Sequence, residues 1–169
     1  MERAKPALVK AIEKGVKTVV AAGMHSLALT VDGVVLSFGC NDDGALGRAI
    51  DDDEEGFTPG EVELPAKIVQ ISAGDSHSAA LDENGKAYYW GTFRDSSGAF
   101  GLTADGAMQK LPVPLAHHLD IAKISSGTFK IHPQSQAFFV RTFASELLNS
   151  DKLSFSAFNL SILKSLFSI

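Results

Sequence analysis

Two stretches of this 169-residue chain repeat each other. They are GMHSLALTVDGVVLSFG, residues 23–39, and GDSHSAALDENGKAYYWG, residues 74–91. His25 aligns with His77, Ser26 with Ser78, Ala28 with Ala80 and Leu29 with Leu81. Gly33 then falls on Gly85, Phe38 on Trp90 and Gly39 on Gly91. After a two-residue insertion, Gly44 falls on Gly98, Ala45 on Ala99, Leu46 on Phe100 and Gly47 on Gly101. Self-similarity at about 50 residues means that each copy is one supersecondary unit, which must bury its apolar face against its neighbour. No other feature of the chain restricts its fold as strongly.

Each part of the unit has a local physical reason. SLALT and SAALD are short apolar runs, as buried strands require. The Asp-Gly and Asn-Gly pairs at 32–33 and 84–85 are strong hairpin signals, because both central residues tolerate positive φ. VVLSFG and KAYYWG are β-branched or aromatic and suit the return strand. Gly39 and Gly91 let the chain turn away sharply. VKTVVAAG and KIVQISAG supply one more strand ahead of each copy. Three or four short strands per unit predict the blade of a β-propeller; a two-repeat sandwich explains the glycine spacing less well. The units fall at about 17–66 and 67–120. A third starts on schedule, since IAKISSG at 121–127 matches IVQISAG at 68–74. The next histidine is due at 130, which is Lys130, and the repeat signal stops at Gly127.

Composition narrows the function. Hydrophobic residues make up 45% and charged residues 21%, a globular balance. The net charge of −5 argues against direct DNA binding, which needs clustered Lys and Arg, and favours a basic partner surface. Cys40, the sole cysteine, rules out an intramolecular disulfide and reads as a small buried residue at a strand end. The N-terminus lacks the apolar core of a signal peptide, and no apolar run reaches the ~18 residues of a membrane helix. His25 and His77 recur once per unit, so they belong to neighbouring blades and read as structural hydrogen-bonding residues with no metal between them. His117 and His118 fall in a proline-containing connector. Asp51–Glu55 lacks the alternation and glycine of a calcium loop and reads as a solvated connection that could attract a basic partner. There is no phosphate-binding glycine loop and no nucleophile–base pair, so no bound nucleotide, cofactor or covalent catalysis is expected.

The stretches SFGCND, GALGR, AGDSH and FRD, set in this repeat, resemble the regulator of chromosome condensation family and within it the exchange factors for the small GTPase Ran. The resemblance covers residues 1–127. It implies a seven-bladed propeller in the nucleus, with Ran on one face and chromatin or histones on the other. It also implies release of GDP or GTP by stabilisation of nucleotide-free Ran, with no covalent step. Asp75 and Arg94 match family positions implicated in the Ran contact, where a carboxylate and a guanidinium can pair with charges on the GTPase. Read without the resemblance, Asp75 caps a turn and Arg94 pairs with Asp95 or with water. Positions His25, Gly33, Gly39, Gly47, His77, Gly85, Trp90, Gly91 and Gly101 carry the repeat itself.

The chain departs from the family in three ways. The basic N-terminal tail expected to touch DNA is not in this sequence, nor are blades four to seven with their histone-contacting loop. Where the third repeat calls for an exchange-critical aspartate, Phe129 stands. Residues 128–169 have no repeat signal and many Ser and Phe, as expected of foreign sequence such as a translated intron or shifted frame. Phe155, Phe158, Ile162, Leu166 and Ile169 could share one helical face there. The expectation is about two blades of an all-β propeller with weak or no exchange activity, located in the nucleus or the cytoplasm. The alternatives are a non-catalytic interaction module and a non-functional truncated product.

Overall fold

The computed structural model describes residues 9, 12–13, 15–95, 98–100, 107–115, 120–126 and 138–142; for 94–95, 98–100 and 138–142 it gives the backbone alone. The first unit contains β1 (Val16–Ala21), β2 (His25–Thr30), β3 (Val35–Gly39), the short helix α1 (Asp53–Gly56) and β4 (Gly60–Val62). The second contains β5 (Ile68–Ala73), β6 (His77–Asp82), β7 (Ala87–Gly91), β8 (Phe93–Asp95), β9 (Gly98–Phe100) and β10 (Gln109–Leu115). β11 (Ile121–Ser126) and β12 (Phe138–Thr142) follow. Each unit is a four-stranded antiparallel sheet, in the order β1-β2-β3-β4 and β5-β6-β7-β10. These are two blades of a partial β-propeller.

The repeat holds at the level of single hydrogen bonds. Ala22 N–H donates to His25 O in the first blade and Gly74 N–H to His77 O in the second, both at 2.9 Å. The first-to-second strand pairing carries a bulge between Val16 and Thr18, and again between Ile68 and Gln70. Bulges of this kind increase strand twist, as a stack of twisted blades needs. The hairpin turns are closed by a side chain at one repeat position. Thr30 Oγ1 accepts from Val34 N–H at 3.0 Å, while Asp82 Oδ1 accepts from Asn84 and Lys86 N–H at 2.8 and 2.9 Å. The same turns hold the next unit. Gly33 O accepts from Ile68 N–H at 2.9 Å, and Gly85 O from Ile121 N–H at 2.8 Å.

The apolar cores lie between units. Leu27, Leu29 and Val35 of the first blade close on Ile68, Ala80 and Trp90 of the second. Leu81, Tyr89 and Phe93 of the second close on Ile121 and Ile124 of β11. A single blade therefore cannot bury its own face, as the repeat required.

β11 pairs with β12, and the third unit repeats the bulge, here between Ile121 and Lys123. Strand pairing thus continues past Gly127, where the sequence signal ends. Phe138–Thr142 is a strand, in a part of the tail where the sequence carries no repeat signal. The helical face proposed for 155–169 lies outside the described residues, as do Gly101, His117, His118, Phe129 and Lys130. Cys40 lies just past the end of β3 and is half-buried, where a buried residue was expected. Its N–H donates to Met24 O at 2.9 Å, so its place is set by the backbone. The acidic run is exposed from Asp51 to Glu55, and Asp52 caps α1 by accepting from Glu55 N–H at 2.8 Å.

Candidate functional site

One edge of the two blades gathers the chemically distinctive residues. It is formed by the β1–β2 and β5–β6 turns and by the chain leaving β3 and β7. The pairings His25–Gly39 and His77–Gly91 bring these ends together. Ser76 O accepts from Thr92 N–H at 2.8 Å, the counterpart of the Met24–Cys40 bond. Gly39 (φ 120°) and Gly91 (φ 91°) leave the strands here in a left-handed conformation. A Cβ on Gly39 would lie 2.6 Å from Met24 O, and one on Gly91 would collide with Ser76 O. Backbone alone fits at both places.

Beneath the edge runs a polar network across the blade seam. Ser78 Oγ donates to Ala45 O at 2.9 Å, and Trp90 Nε1–H donates to the same carbonyl at 2.8 Å. His25 Nε2 lies 2.8 Å from Ser78 Oγ. The one hydroxyl proton of Ser78 goes to Ala45 O, so His25 is the Nε2–H tautomer and donates. Gly47 makes room for the indole, since a Cβ there would lie 2.6 Å from Trp90 Nε1. The 41–47 loop is fixed further by Asn41 Oδ1, which accepts from Leu46 N–H at 3.0 Å, and by Thr92 Oγ1, which donates to Asp43 O at 3.0 Å. Arg48 spans the base of the next loop, donating to Glu55 O at 3.2 Å and to Thr58 O at 2.9 Å.

His25 and His77 are both buried, at 4% exposure each. Burial lowers the pKa of each ring to about 4, helped at His77 by the neighbouring His25. Both are neutral at pH 7 and unsuited to carry charge to a partner. His77 stacks on Phe93 with ring centroids 4.1 Å apart. Among the described residues, no three or more His, Cys, Asp or Glu side chains could hold a metal together. None of the described helices is long and apolar enough to cross a membrane.

Asp75 sits at the rim, half-buried, where the turns of the two blades touch. A Cβ on Gly23 would lie 3.1–3.2 Å from Asp75 O, Cα and Oδ1. Met24 beside it is 71% exposed. Arg94 follows from the same edge: its backbone lies in β8, paired with Ala99, two residues past the Ser76–Thr92 bond. The rim therefore joins Asp75, the start of the Arg94 strand and an exposed methionine above a buried hydrogen-bonded network. A surface of this kind can dock a protein, with polar groups at its margin and a fixed backbone beneath. The histidine and glycine positions were visible in the repeat. The contributions of Ala45, Asp43, Asn41 and Phe93 were not: Ala45 and Asp43 accept through backbone carbonyls, which have no sequence signature, and Asn41 and Phe93 stand at one repeat position without sharing chemistry. The serine that follows each histidine was the one available sign of the network.

Comparison with known proteins agrees with this architecture. A "Regulator of chromosome condensation (RCC1) repeat" matches residues 32–81, and a second repeat of that description matches 68–99. The human regulator of chromosome condensation is 46% identical over 127 residues, which is 75% of this chain and 30% of the relative. The guanine nucleotide exchange factor SRM1 of Saccharomyces cerevisiae is 36% identical over 137 residues, with 62% of this chain and 28% of the relative covered. The crystal structure of Prp20p from Saccharomyces cerevisiae, reported with its binding properties to Gsp1p and histones, superposes with a TM-score of 0.59. That match has 35% identity and covers 66% of this chain and 28% of Prp20p. The chain thus spans about 30% of the length of the curated relatives it matches. Its repeats, their pairing into blades and its similarity to these propellers place the chain in the regulator of chromosome condensation repeat family.

Proposed function

We propose that this chain is a Ran-facing segment of a guanine-nucleotide exchange factor, and that Asp75 and Arg94 are its contacts with the GTPase. The observation that carries the reading is the position of Asp75 at the rim of the first seam, packed against Gly23, together with 46–50% identity to the regulators of chromosome condensation. A carboxylate and a guanidinium on such a rim suit a charged protein surface, and a pair of this kind sets docking register. Exchange needs no bond making. A protein that binds nucleotide-free Ran more tightly than nucleotide-bound Ran weakens nucleotide affinity by the same factor, because linkage is reciprocal. Chromatin docking, through histones rather than DNA, and a nuclear location belong to the same reading of the longer protein. The net charge of −5 supports a basic protein partner over nucleic acid.

Two blades offer only part of the surface, so the chain by itself is expected to accelerate release weakly or not at all. The contacts are tested in a complete propeller carrying this segment, with Asp75→Lys and Arg94→Glu. Nucleotide release from Ran should slow by about tenfold or more for each, the loss typical of one partner of an interfacial charge pair. The circular-dichroism spectrum and melting temperature should stay unchanged. Unaltered release with both variants would favour a non-catalytic interaction module.

A further inference from the structure

We propose that the seam after β6 is an acceptor site for a β-strand supplied by another polypeptide carrying this repeat, and that it selects a strand presenting serine where β12 presents Phe138. The inference rests on the fold alone and goes beyond the Ran reading.

The first seam shows what a completed site contains. His25 opens β2, and its Nε2–H reaches Ser78 Oγ, the second residue of β6 in the next blade, at 2.8 Å. His77 is the same residue one blade on, equally buried at 4% exposure. Among the described residues its Nε2 has no hydrogen-bond partner. Ser126 Oγ, at the end of β11, is likewise buried and unpartnered among them. Leaving buried polar atoms unpaired is costly, and a strand that supplied a hydroxyl would recover that cost.

The register identifies the position where the hydroxyl is missing. Ala21 pairs with Ser26 in the first unit and Ala73 with Ser78 in the second. In the third, Ser126 pairs with Phe138. The bulged ends agree as well: Thr18 pairs with Leu29, Gln70 with Leu81 and Lys123 with Arg141. β12 therefore occupies the second-strand register with two mismatches. Phe138, which has no hydrogen-bonding side-chain group, stands at the serine position. Arg141 stands where Leu29 and Leu81 are 0% and 4% exposed. The connection is also longer, residues 127–137 in place of the three-residue turns 22–24 and 74–76, which raises the entropy cost of closure. A strand so poorly matched can be displaced by one that fits. β6 itself, with Ser78, Ala79, Ala80 and Leu81, is the pattern that fits against this type of seam.

The test titrates the full 169-residue chain into a fluorescein-labelled peptide of residues 74–82, GDSHSAALD, and follows anisotropy. Saturable binding is expected, weakened about fivefold or more when the peptide carries Ser78→Ala. His77→Phe in the chain should erase the difference between the two peptides. Phe138→Ser in the chain should weaken binding of the serine peptide by about fivefold or more, because the chain's own strand then competes better. Absence of saturable binding, or equal affinity of the serine and alanine peptides, would overturn the proposal. Neither result bears on the contact of Asp75 with Ran.

Discussion

Where the first blade meets the second, His25, Ser78, Ala45 and Trp90 share one buried hydrogen-bonded network. Where the second meets β11, His77 occupies the equivalent place with its Nε2 unpartnered among the described residues. The inner strands show the reverse. The Gln70 side chain donates to Ile124 O at 2.7 Å and accepts from Ile124 N–H at 3.1 Å, and Ser72 Oγ accepts from Ser126 N–H at 2.7 Å. The repeat counterpart of Gln70 in the first blade is Thr18, which has no side-chain amide to donate and accept in this way. Apolar burial and one turn-carbonyl hydrogen bond, from Gly33 or Gly85, are therefore common to both seams. The polar lock is a separate layer, and it depends on what the second strand of the following unit brings.

Mutations should separate the two layers. Trp90→Ala should have the largest effect, because it removes a fully buried indole from the first seam and strands Gly47 beside a cavity. A loss of about 3–5 kcal/mol is expected in urea unfolding. Acidification comes next and acts on both seams together. The unfolded chain protonates each histidine near pH 6.5, while burial holds the folded rings to about 4. The unfolded state thus binds more protons between those values. Stability should be full above pH 6.5, fall as the pH drops towards 4, and level off below. Denaturation midpoints measured across this range check the sign, and a variant with both histidines changed to Phe should flatten the slope.

Smaller changes sharpen the contrast. Ser78→Ala takes the acceptor from His25 and should cost about 1–3 kcal/mol, read from the same unfolding curves. Gln70→Ala should loosen β11 and leave the first seam intact. Hydrogen exchange at Ile124 should speed up, by an amount reflecting about 1 kcal/mol of lost protection, while Leu27 and Leu29 keep theirs. His77→Phe should cost least, within about 0.5 kcal/mol of neutral or slightly stabilising, since it removes an unpaired nitrogen and keeps a ring against Phe93. A cost equal to that of Ser78→Ala would mean that the two seams do not differ as described.

Much of this fold could be read from the residues. The histidine, turn and glycine positions carry the period and the hairpins, and they are local. The bulges between Val16 and Thr18 and between Ile68 and Gln70 could not be read, because they arise from pairing between strands. Nor could the β11–β12 pairing, since Phe138–Thr142 shares the register of β2 and β6 without sharing their side chains. The seam network was half legible. The repeated His-Ser pair marked donor and acceptor, while Ala45 contributes only its carbonyl and is invisible to any side-chain pattern. For the rim, the sequence pointed to Asp75 and Arg94 through a family likeness; their common edge follows from the pairing of His77 with Gly91.

The exchange-factor reading is tested most directly by nucleotide release from Ran, measured with fluorescent GDP in the presence of this chain and, in parallel, of a complete propeller of the family. The complete propeller should accelerate release, about tenfold less when it carries Asp75→Lys, and the chain alone should give under about a tenth of the unaltered propeller's acceleration. Acceleration by the chain equal to that of the complete propeller, or a complete propeller insensitive to Asp75→Lys, would contradict the exchange-factor reading.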